Sequence, residues 1–219
     1  MSVFKGRIVD KAKEESSAGK SCTKTYKTFK TTDANCVALP FVLNDIMGLE
    51  VSDEKGIHPE DIIKALHGHV KEGYKFNPTS PLTETDPDFN DPGPNDKVHC
   101  LVSVVSASSI SQMGNEVIQK MKMVRMAALR MNIPHVVVMT KIDAILCSRD
   151  KNNLSEVYKS RKIKEKMSEC SHRLGPPMKY IFPVSNYYEE TKTNDKKDVL
   201  ILMALKSIAG FVQDYIEDI

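Results

Sequence analysis

The tetrapeptide Thr-Lys-Ile-Asp at residues 140–143 has the residue types and the spacing needed to read a guanine base. The carboxylate of Asp143 accepts two hydrogen bonds, from the N1–H and the 2-amino group of guanine, and adenine lacks both donors. The aliphatic stem of Lys141 lies against the plane of the base. Thr140, Lys141 and Asp143 are therefore candidate nucleotide-binding residues. The alternative interpretation is that Asp143 caps a helix after a strand.

A second element, the Asp-x-x-Gly sequence of residues 45–48, follows an apolar run that predicts a strand. In nucleoside-triphosphate switches an Asp at a strand end holds magnesium, usually through water, and the Gly turns its backbone N–H toward the γ-phosphate. Asp45 and Gly48 are candidates for these two roles, and a plain strand-ending turn is the alternative. Leu49 stands where many small GTPases hold a water-orienting Gln.

A third element, Ser185-Asn186, ends a later predicted strand. Proteins with the first two elements place a loop here whose backbone N–H meets guanine O6. All three elements stand at the C-terminal ends of predicted strands, and ligands of open α/β sheets bind at those ends. The order of the elements therefore predicts a guanine-nucleotide site on a GTPase-type scaffold, with Ser185 and Asn186 among its residues.

The phosphate-binding loop (P-loop) of such a scaffold is not found in the sequence. A P-loop needs G-x-x-x-x-G-K-[ST] directly after a strand, because its backbone N–H groups and its Lys cradle the phosphates. The stretch EESSAGKS at residues 14–21 lacks the first Gly, begins with two carboxylates and follows polar, lysine-rich residues. We interpret Gly19-Lys20-Ser21 as a fortuitous match, with a degenerate P-loop as the alternative. Nucleotide hydrolysis by this chain is therefore not expected.

Hydrophobic periodicity predicts the elements that must position these residues. Strands alternating with helices predict βαβ units, a mostly parallel sheet and one domain over residues 1–219. The strand at 99–107 is expected to be buried on both faces, because it is continuously apolar. Outside its helix, the proline-rich region of about residues 50–95 is expected to be an exposed insertion. Predicted strands lie at 24–32, 38–44, 99–107, 134–139 and 179–184, and predicted helices at 59–70, 110–131, 154–174 and 195–217.

Composition limits the other classes of function. The 31 basic and 29 acidic residues are mixed along the chain, so no nucleic-acid-binding patch is predicted. Five scattered cysteines indicate a reducing compartment. The apolar stretches at 101–105 and 199–209 are shorter than a bilayer span, and Lys206 interrupts the second. We therefore expect a soluble, cytoplasmic protein without a membrane span. The histidines His58, His67 and His69 lack further ligands at metal-binding spacing.

With these motifs in place, the chain resembles the GTPase-like part of the interferon-induced protein 44 and 44-like family. The resemblance runs nearly end to end. It is carried by VFKG at residues 3–6, TYKTF at 25–29, LPFVLNDIMGL at 39–49, YKFNP at 74–78, DKVHC at 96–100, VSNY at 184–187 and KDVLIL at 197–202.

The resemblance implies a cytoplasmic, interferon-inducible protein of the innate antiviral immune response that binds GTP or GDP with magnesium. It implies an α/β, P-loop NTPase (GTPase)-like three-layer sandwich with a mostly parallel sheet. Asp45 and Thr23 would face the metal, Gly48 the γ-phosphate, and Thr140, Lys141 and Asp143 the guanine. Family members carry a strand and a P-loop upstream of the segment that matches residues 2–6. Both are missing here, so we expect impaired nucleotide binding.

A functional alternative of another class remains open at this point. The scaffold would then be a non-catalytic interaction module that offers surfaces such as the proline-rich region to protein partners of the interferon response.

Overall fold

The computed structural model of this α/β chain describes residues 2–9, 23–94, 96–146, 154–188 and 190–219. The chain divides into two compact units, and each is described by itself. The first unit comprises residues 1–98 and 119–128, and the second comprises residues 99–118 and 129–219. The single domain over residues 1–219 stays a prediction. The degenerate Gly19-Lys20-Ser21 stretch lies outside the described residues.

The first unit contains a short helix, α1 (Ser2–Lys5), and an antiparallel hairpin of β1 (Lys27–Thr32) and β2 (Ala38–Asp45). Asp33 shapes the connecting turn, because its Oδ1 atom accepts hydrogen bonds from the backbone N–H groups of Asn35 and Val37, each at 2.9 Å. The pairing places Lys27 opposite Asp45. The predicted antiparallel pair of strands is confirmed.

The helix α2 (Pro59–His67) begins where the sequence predicts and ends three residues before the predicted end at residue 70. Pro59 occupies the first turn, and His58 Nδ1 accepts a hydrogen bond from the backbone N–H of Glu60 at 3.3 Å. At the other end Gly68 adopts φ +86°, a left-handed conformation that favours glycine. The buried apolar side chains of Ile62, Ala65 and Leu66 fix the helix against the rest of this unit.

The region after α2 is mostly exposed, as predicted, but it also contains buried residues that the prediction missed. The side chains of Tyr74, Phe76 and Leu82 are all buried, so this region supplies part of the core of the first unit. Asp61 explains how the chain is held, because its buried carboxylate accepts a hydrogen bond from the backbone N–H of Leu82 at 2.8 Å. Burial also raises the pKa of Asp61. The polar and proline-rich composition concealed these anchoring residues.

The second unit is built on a parallel sheet of β3 (Leu101–Ser106), β4 (His135–Thr140) and β5 (Ile181–Pro183), in the spatial order β3-β4-β5. Its helices are α4 (Arg161–Leu174) and α5 (Asp195–Glu217), together with the two ends of α3 (Asn115–Arg130). Residues 119–128 of α3 belong to the first unit. The predicted alternation of helices with parallel strands is confirmed.

The strand β3 corrects a second expectation, that of burial on both faces. Val102 is 37% exposed and Val104 is 67% exposed. Side chains alternate between the two faces of a strand, so Val102 and Val104 share one face, and that face is open to solvent in β3, an edge strand that pairs only with β4 among the described residues. β4, the central strand, behaves as expected for a parallel sheet, and Val136, Val137 and Met139 are fully buried.

Two helix starts differ from the predicted ones, and one helix end agrees. Residues 110–131 were predicted as one helix, but a short 3₁₀ turn, Ile110–Gln112, precedes α3. The predicted helix at 154–174 is likewise divided, since α4 starts at the N-cap Ser160 and the 3₁₀ segment Leu154–Lys159 comes before it. Gly175, at φ +95°, ends α4 as predicted.

The last helix, α5, is long and apolar enough by its length and composition to cross a membrane, and it is the one such helix in the described part of the chain. Core helices of soluble proteins can have the same length and composition. The ring of Phe211 lies 4.9 Å from that of Tyr180, so α5 also packs within the second unit. The expectation of no membrane span stays a prediction, because the apolar run continues beyond the 199–209 stretch.

Candidate nucleotide site

Backbone hydrogen bonds connect the ends of the parallel strands where the Thr-Lys-Ile-Asp sequence begins. Thr140 is the last residue of β4, and its carbonyl accepts a hydrogen bond from the backbone N–H of Ala107 at 2.8 Å. The N–H of Val184, just after β5, donates to the carbonyl of Met139 at 2.8 Å. These bonds fix the chain at the C-terminal edge of the sheet, where open α/β sheets bind ligands.

The backbone turns sharply after Thr140. Lys141 adopts φ +55°, a left-handed conformation that is uncommon for a residue with a side chain. Ile142 is fully buried and anchors the 3₁₀ turn Ile142–Ala144. The side chain of Lys141 is exposed and that of Asp143 is half-buried. A backbone held in a sparsely populated region is a feature of many binding sites, and here it follows directly on a buried strand.

The most informative contact joins two predicted site residues that are 42 positions apart. The hydroxyl of Ser185 donates a hydrogen bond to Oδ1 of Asp143 at 2.7 Å. Ser185 is fully buried and Asp143 is half-buried, so the hydroxyl side of this contact is shielded from water. It orients the carboxylate and leaves lone pairs on both of its oxygens for other donors. The side chain of Ser185 therefore has a positioning role that its sequence motif did not reveal.

The residues after Ser185 are held by side chains that sequence reasoning missed. Lys197, in the first turn of α5, donates to the carbonyl of Asn186 at 2.9 Å and pairs with the carboxylate of Glu190. This ammonium lowers the pKa of Glu190 to about 2. Burial raises the pKa of Tyr187 to about 12. The VSNY string includes Tyr187, but no spacing rule connects Tyr187 or Lys197 to the motif.

The predicted metal residues of the first unit also meet. The hydroxyl of Thr23 donates to Oδ2 of Asp45 at 3.0 Å. A carboxylate and a hydroxyl are oxygen donors, the type that Mg²⁺ prefers, and Mg²⁺ commonly takes only one or two carboxylates beside water and phosphate oxygens. These two residues therefore fit part of a magnesium site that a nucleotide phosphate would have to complete. No group of three or more metal-ligating side chains is found among the residues that the structure describes.

The turn at Gly48 is shaped by a second glycine. The carbonyl of Gly48 accepts a hydrogen bond from the N–H of Ile57 at 2.9 Å. Gly56 has φ +75°, and a Cβ atom there would lie 2.7 Å from the Gly48 carbonyl oxygen. Lys120 holds the same segment, because its ammonium donates to the carbonyl of Glu50 at 3.0 Å. The Asp-x-x-Gly sequence thus continues into a tightly constrained loop.

The predicted site residues fall into two groups. Thr140, Lys141, Asp143, Ser185 and Asn186 lie at the sheet edge of the second unit, where Asp143 and Ser185 are in contact. Thr23, Asp45 and Gly48 lie in the first unit, where Thr23 and Asp45 are in contact.

Comparison with known proteins gives relatives that match along the whole chain. Interferon-induced protein 44 of Homo sapiens is 31% identical over 220 residues, which are 100% of this chain and 49% of that protein. Its counterpart in Mus musculus is 30% identical over 223 residues, or 100% of this chain and 51% of that protein. Interferon-induced protein 44-like of Homo sapiens is 30% identical over 221 residues, which are 100% of this chain and 48% of that protein.

The chain therefore spans about half the length of the curated relatives it matches. No family model matches it. No solved structure matches it either.

Proposed function

Because this chain belongs to the interferon-induced protein 44 and 44-like family, we propose that it is an interferon-induced guanine-nucleotide-binding protein of the innate antiviral response. The scaffold in this proposal is a P-loop NTPase (GTPase)-like fold, with which the parallel sheet β3-β4-β5 is compatible. The cytoplasm is its proposed location. The proposed activity is binding of the guanine base, and no hydrolysis is proposed for this chain.

The observation that carries the proposal is the hydrogen bond from the buried Ser185 to Asp143. A carboxylate that is oriented before the ligand arrives loses less conformational freedom on binding. Asp143 would accept the N1–H and 2-amino groups of guanine, and the stem of Lys141 would cover the plane of the base. Thr140 ends β4 and sets the direction from which the motif leaves the sheet. The backbone at Ser185 and Asn186 would face O6.

For the phosphate end, we propose Asp45 and Thr23 as residues that hold magnesium, with Gly48 beside the γ-phosphate. The contact between Thr23 and Asp45 supports this pairing. Magnesium would supply charge neutralisation for the phosphate oxygens.

Titration of the chain with fluorescent GDP and with its adenine counterpart tests the proposal. We expect GDP to bind more tightly, because adenine offers neither donor to Asp143. Asp143→Ala should lower the GDP affinity by roughly 30- to 1,000-fold, as expected for two hydrogen bonds to a charged group. Ser185→Ala should lower it by about fivefold, because one orienting hydrogen bond is lost. Equal affinity for guanine and adenine would contradict the proposal.

A change of base preference gives a sharper test than loss of binding. Xanthine carries a carbonyl in place of the 2-amino group of guanine. The amide of an Asp143→Asn variant can donate to that carbonyl and accept from N1–H. We therefore expect this variant to prefer the xanthine nucleotide over GDP. A folded variant that keeps the guanine preference would exclude Asp143 as the residue that reads the base.

A further inference from the structure

The loop after β5 is tied to the start of α5 by a closed set of hydrogen bonds. The phenol oxygen of Tyr187 lies 2.6 Å from Oδ1 of Asp198 and 3.1 Å from the carbonyl of Asn194, and its single O–H donates to the closer acceptor, Asp198. The same oxygen accepts a hydrogen bond from the backbone N–H of Asn194 at 2.7 Å. One side chain therefore connects the loop to two residues of the helix terminus.

The terminus to which Tyr187 is tied is itself fixed. Asn194 is the N-cap of α5, and its side-chain oxygen accepts the backbone N–H groups of Lys196 at 3.0 Å and Lys197 at 3.3 Å. Capping satisfies two donors at the helix start and defines where α5 begins. The loop therefore rests on a rigid element.

A second tie acts on the backbone next to Ser185. The ammonium of Lys197 donates to the carbonyl of Asn186 at 2.9 Å. The N–H of the same peptide, which belongs to Tyr187, donates to the side-chain oxygen of Asn186 at 2.9 Å. The peptide between Asn186 and Tyr187 is therefore bonded at both its carbonyl and its N–H, and its plane cannot rotate without breaking one of these bonds.

Glu190 keeps Lys197 in place. Its carboxylate pairs with the Lys197 ammonium and accepts a hydrogen bond from the backbone N–H of Tyr188 at 2.8 Å. The Lys197 ammonium also lies 5.5 Å from the centre of the Tyr187 ring, within the range of a cation–π contact. The contacts made by Tyr187 and those made by Lys197 are thus coupled to each other.

We propose that Tyr187 and Lys197 are positioning residues that hold the Ser185-Asn186 turn in the conformation that presents its backbone N–H groups to O6 of guanine. This inference rests on the proposed function. In this inference O6 is recognised by the backbone of the turn, which Tyr187 and Lys197 hold in place. Asp143 recognises the N1–H and 2-amino groups. The two halves of base recognition should therefore respond to different substitutions.

Amide hydrogen exchange on the nucleotide-free chain tests whether the ties hold the turn. Tyr187→Phe keeps the ring and removes the hydroxyl, and Lys197→Gln removes the charge. We expect exchange at residues 185–188 to be about tenfold faster in each variant, since each loses contacts that hold the turn. Tyr188→Phe is the matched control, because Tyr188 is 75% exposed and its exchange pattern should equal that of the unmodified chain. Unchanged exchange in Tyr187→Phe would overturn the proposal.

Base preference then tests whether the turn reads O6. The probes are GDP, 6-thio-GDP, in which sulfur is a weak acceptor, and inosine diphosphate, which lacks the 2-amino group. Tyr187→Phe and Lys197→Gln should reduce the preference for GDP over 6-thio-GDP by about fivefold, in keeping with one weakened hydrogen bond. They should leave the preference for GDP over inosine diphosphate unchanged. A purely structural loss would lower all three affinities equally and would overturn the proposal.

The two measurements separate failure of the inference from failure of the proposed function. If the unmodified chain binds none of the three nucleotides, the proposed function is contradicted and the role in O6 recognition falls with it. The exchange experiment then decides alone whether Tyr187 and Lys197 hold the turn. If GDP binds and exchange at residues 185–188 does not respond to either substitution, the inference fails while the proposed function stands.

Discussion

Ser185 shows how burial changes the meaning of a short motif. The sequence placed Ser185 in a loop whose backbone meets the base, and this backbone role stays a prediction. The structure adds that the side chain is fully buried and donates to Asp143 at 2.7 Å. A buried hydroxyl that orients a carboxylate has few substitutes, because alanine removes the donor and leaves the carboxylate without its partner.

The Glu190–Lys197 pair gives a prediction about pH. Lys197 lowers the pKa of Glu190 from its ordinary 4.5 to about 2. A depressed carboxyl pKa stabilises the folded state above pH 4.5, and this contribution is lost as the pH falls from 4.5 toward 2. In a Lys197→Gln variant we expect the pKa of Glu190, measured by NMR titration, to rise toward 4.5.

The same variant should also change the pH dependence of stability. The free energy of unfolding of the unmodified chain should fall more steeply between pH 4.5 and pH 2 than that of Lys197→Gln. The effect is expected to be small, because the Glu190 side chain is 37% exposed and solvent screens the pair. Identical pH profiles for the two proteins would show that Lys197 does not perturb Glu190.

At the scale of elements, capping is where local sequence and structure agree most closely. Asn194 starts α5, Ser160 starts α4, and Gly68 and Gly175 end α2 and α4. Each residue type satisfies a particular backbone need, so its position in the chain marks a boundary. The edge strand β3 shows the opposite case, since its apolar sequence does not reveal that Val104 is 67% exposed.

Gly68 at the end of α2 gives a prediction with an internal control. An added Cβ would lie 2.7 Å from the backbone oxygen of Asp96, in addition to the strain of φ +86°. Gly73 has φ +87°, but a Cβ there would meet nothing within 4 Å. Gly73→Ala should therefore cost about 1 kcal/mol of unfolding free energy through backbone strain alone.

Gly68→Ala should cost at least about 1 kcal/mol more than Gly73→Ala, because the backbone of Asp96 must also move. Urea denaturation of the two variants measures the difference. Equal costs would show that the segment around Asp96 relaxes freely and does not constrain the end of α2.

At the scale of the whole molecule, the cysteines report the integrity of the fold. Burial raises the pKa of Cys100 to about 12 and that of Cys170 to about 11, whereas Cys36 is exposed. Because the thiolate is the reactive form, iodoacetamide at pH 8 should modify Cys36 quickly and should modify Cys100 and Cys170 only when the chain unfolds. Peptide mapping by mass spectrometry measures each site separately. Rapid modification of Cys170 in the native protein would contradict the burial seen here.

The sequence predicted the type and order of the strands and long helices, because apolar periodicity and caps act over a few neighbouring residues. It also predicted where the site residues lie along the chain, since Asp45, Thr140 and Ser185 each stand at or just after a strand end. It missed the few buried residues within the mostly exposed 50–95 region. There the burial of Leu82 depends on its contact with Asp61, 21 positions earlier, and a local pattern carries no signal of such a contact.

The sequence by itself determined the type and order of the strands and helices and the resemblance to a known family, because these depend on residue types at short spacings and on matching strings. Only the tertiary structure decided which side chains meet. It brings Ser185 to Asp143, Thr23 to Asp45, and both Tyr187 and Lys197 to the turn after β5. These contacts join residues up to 42 positions apart, and their geometry arises only when the strand ends and helix starts are packed together.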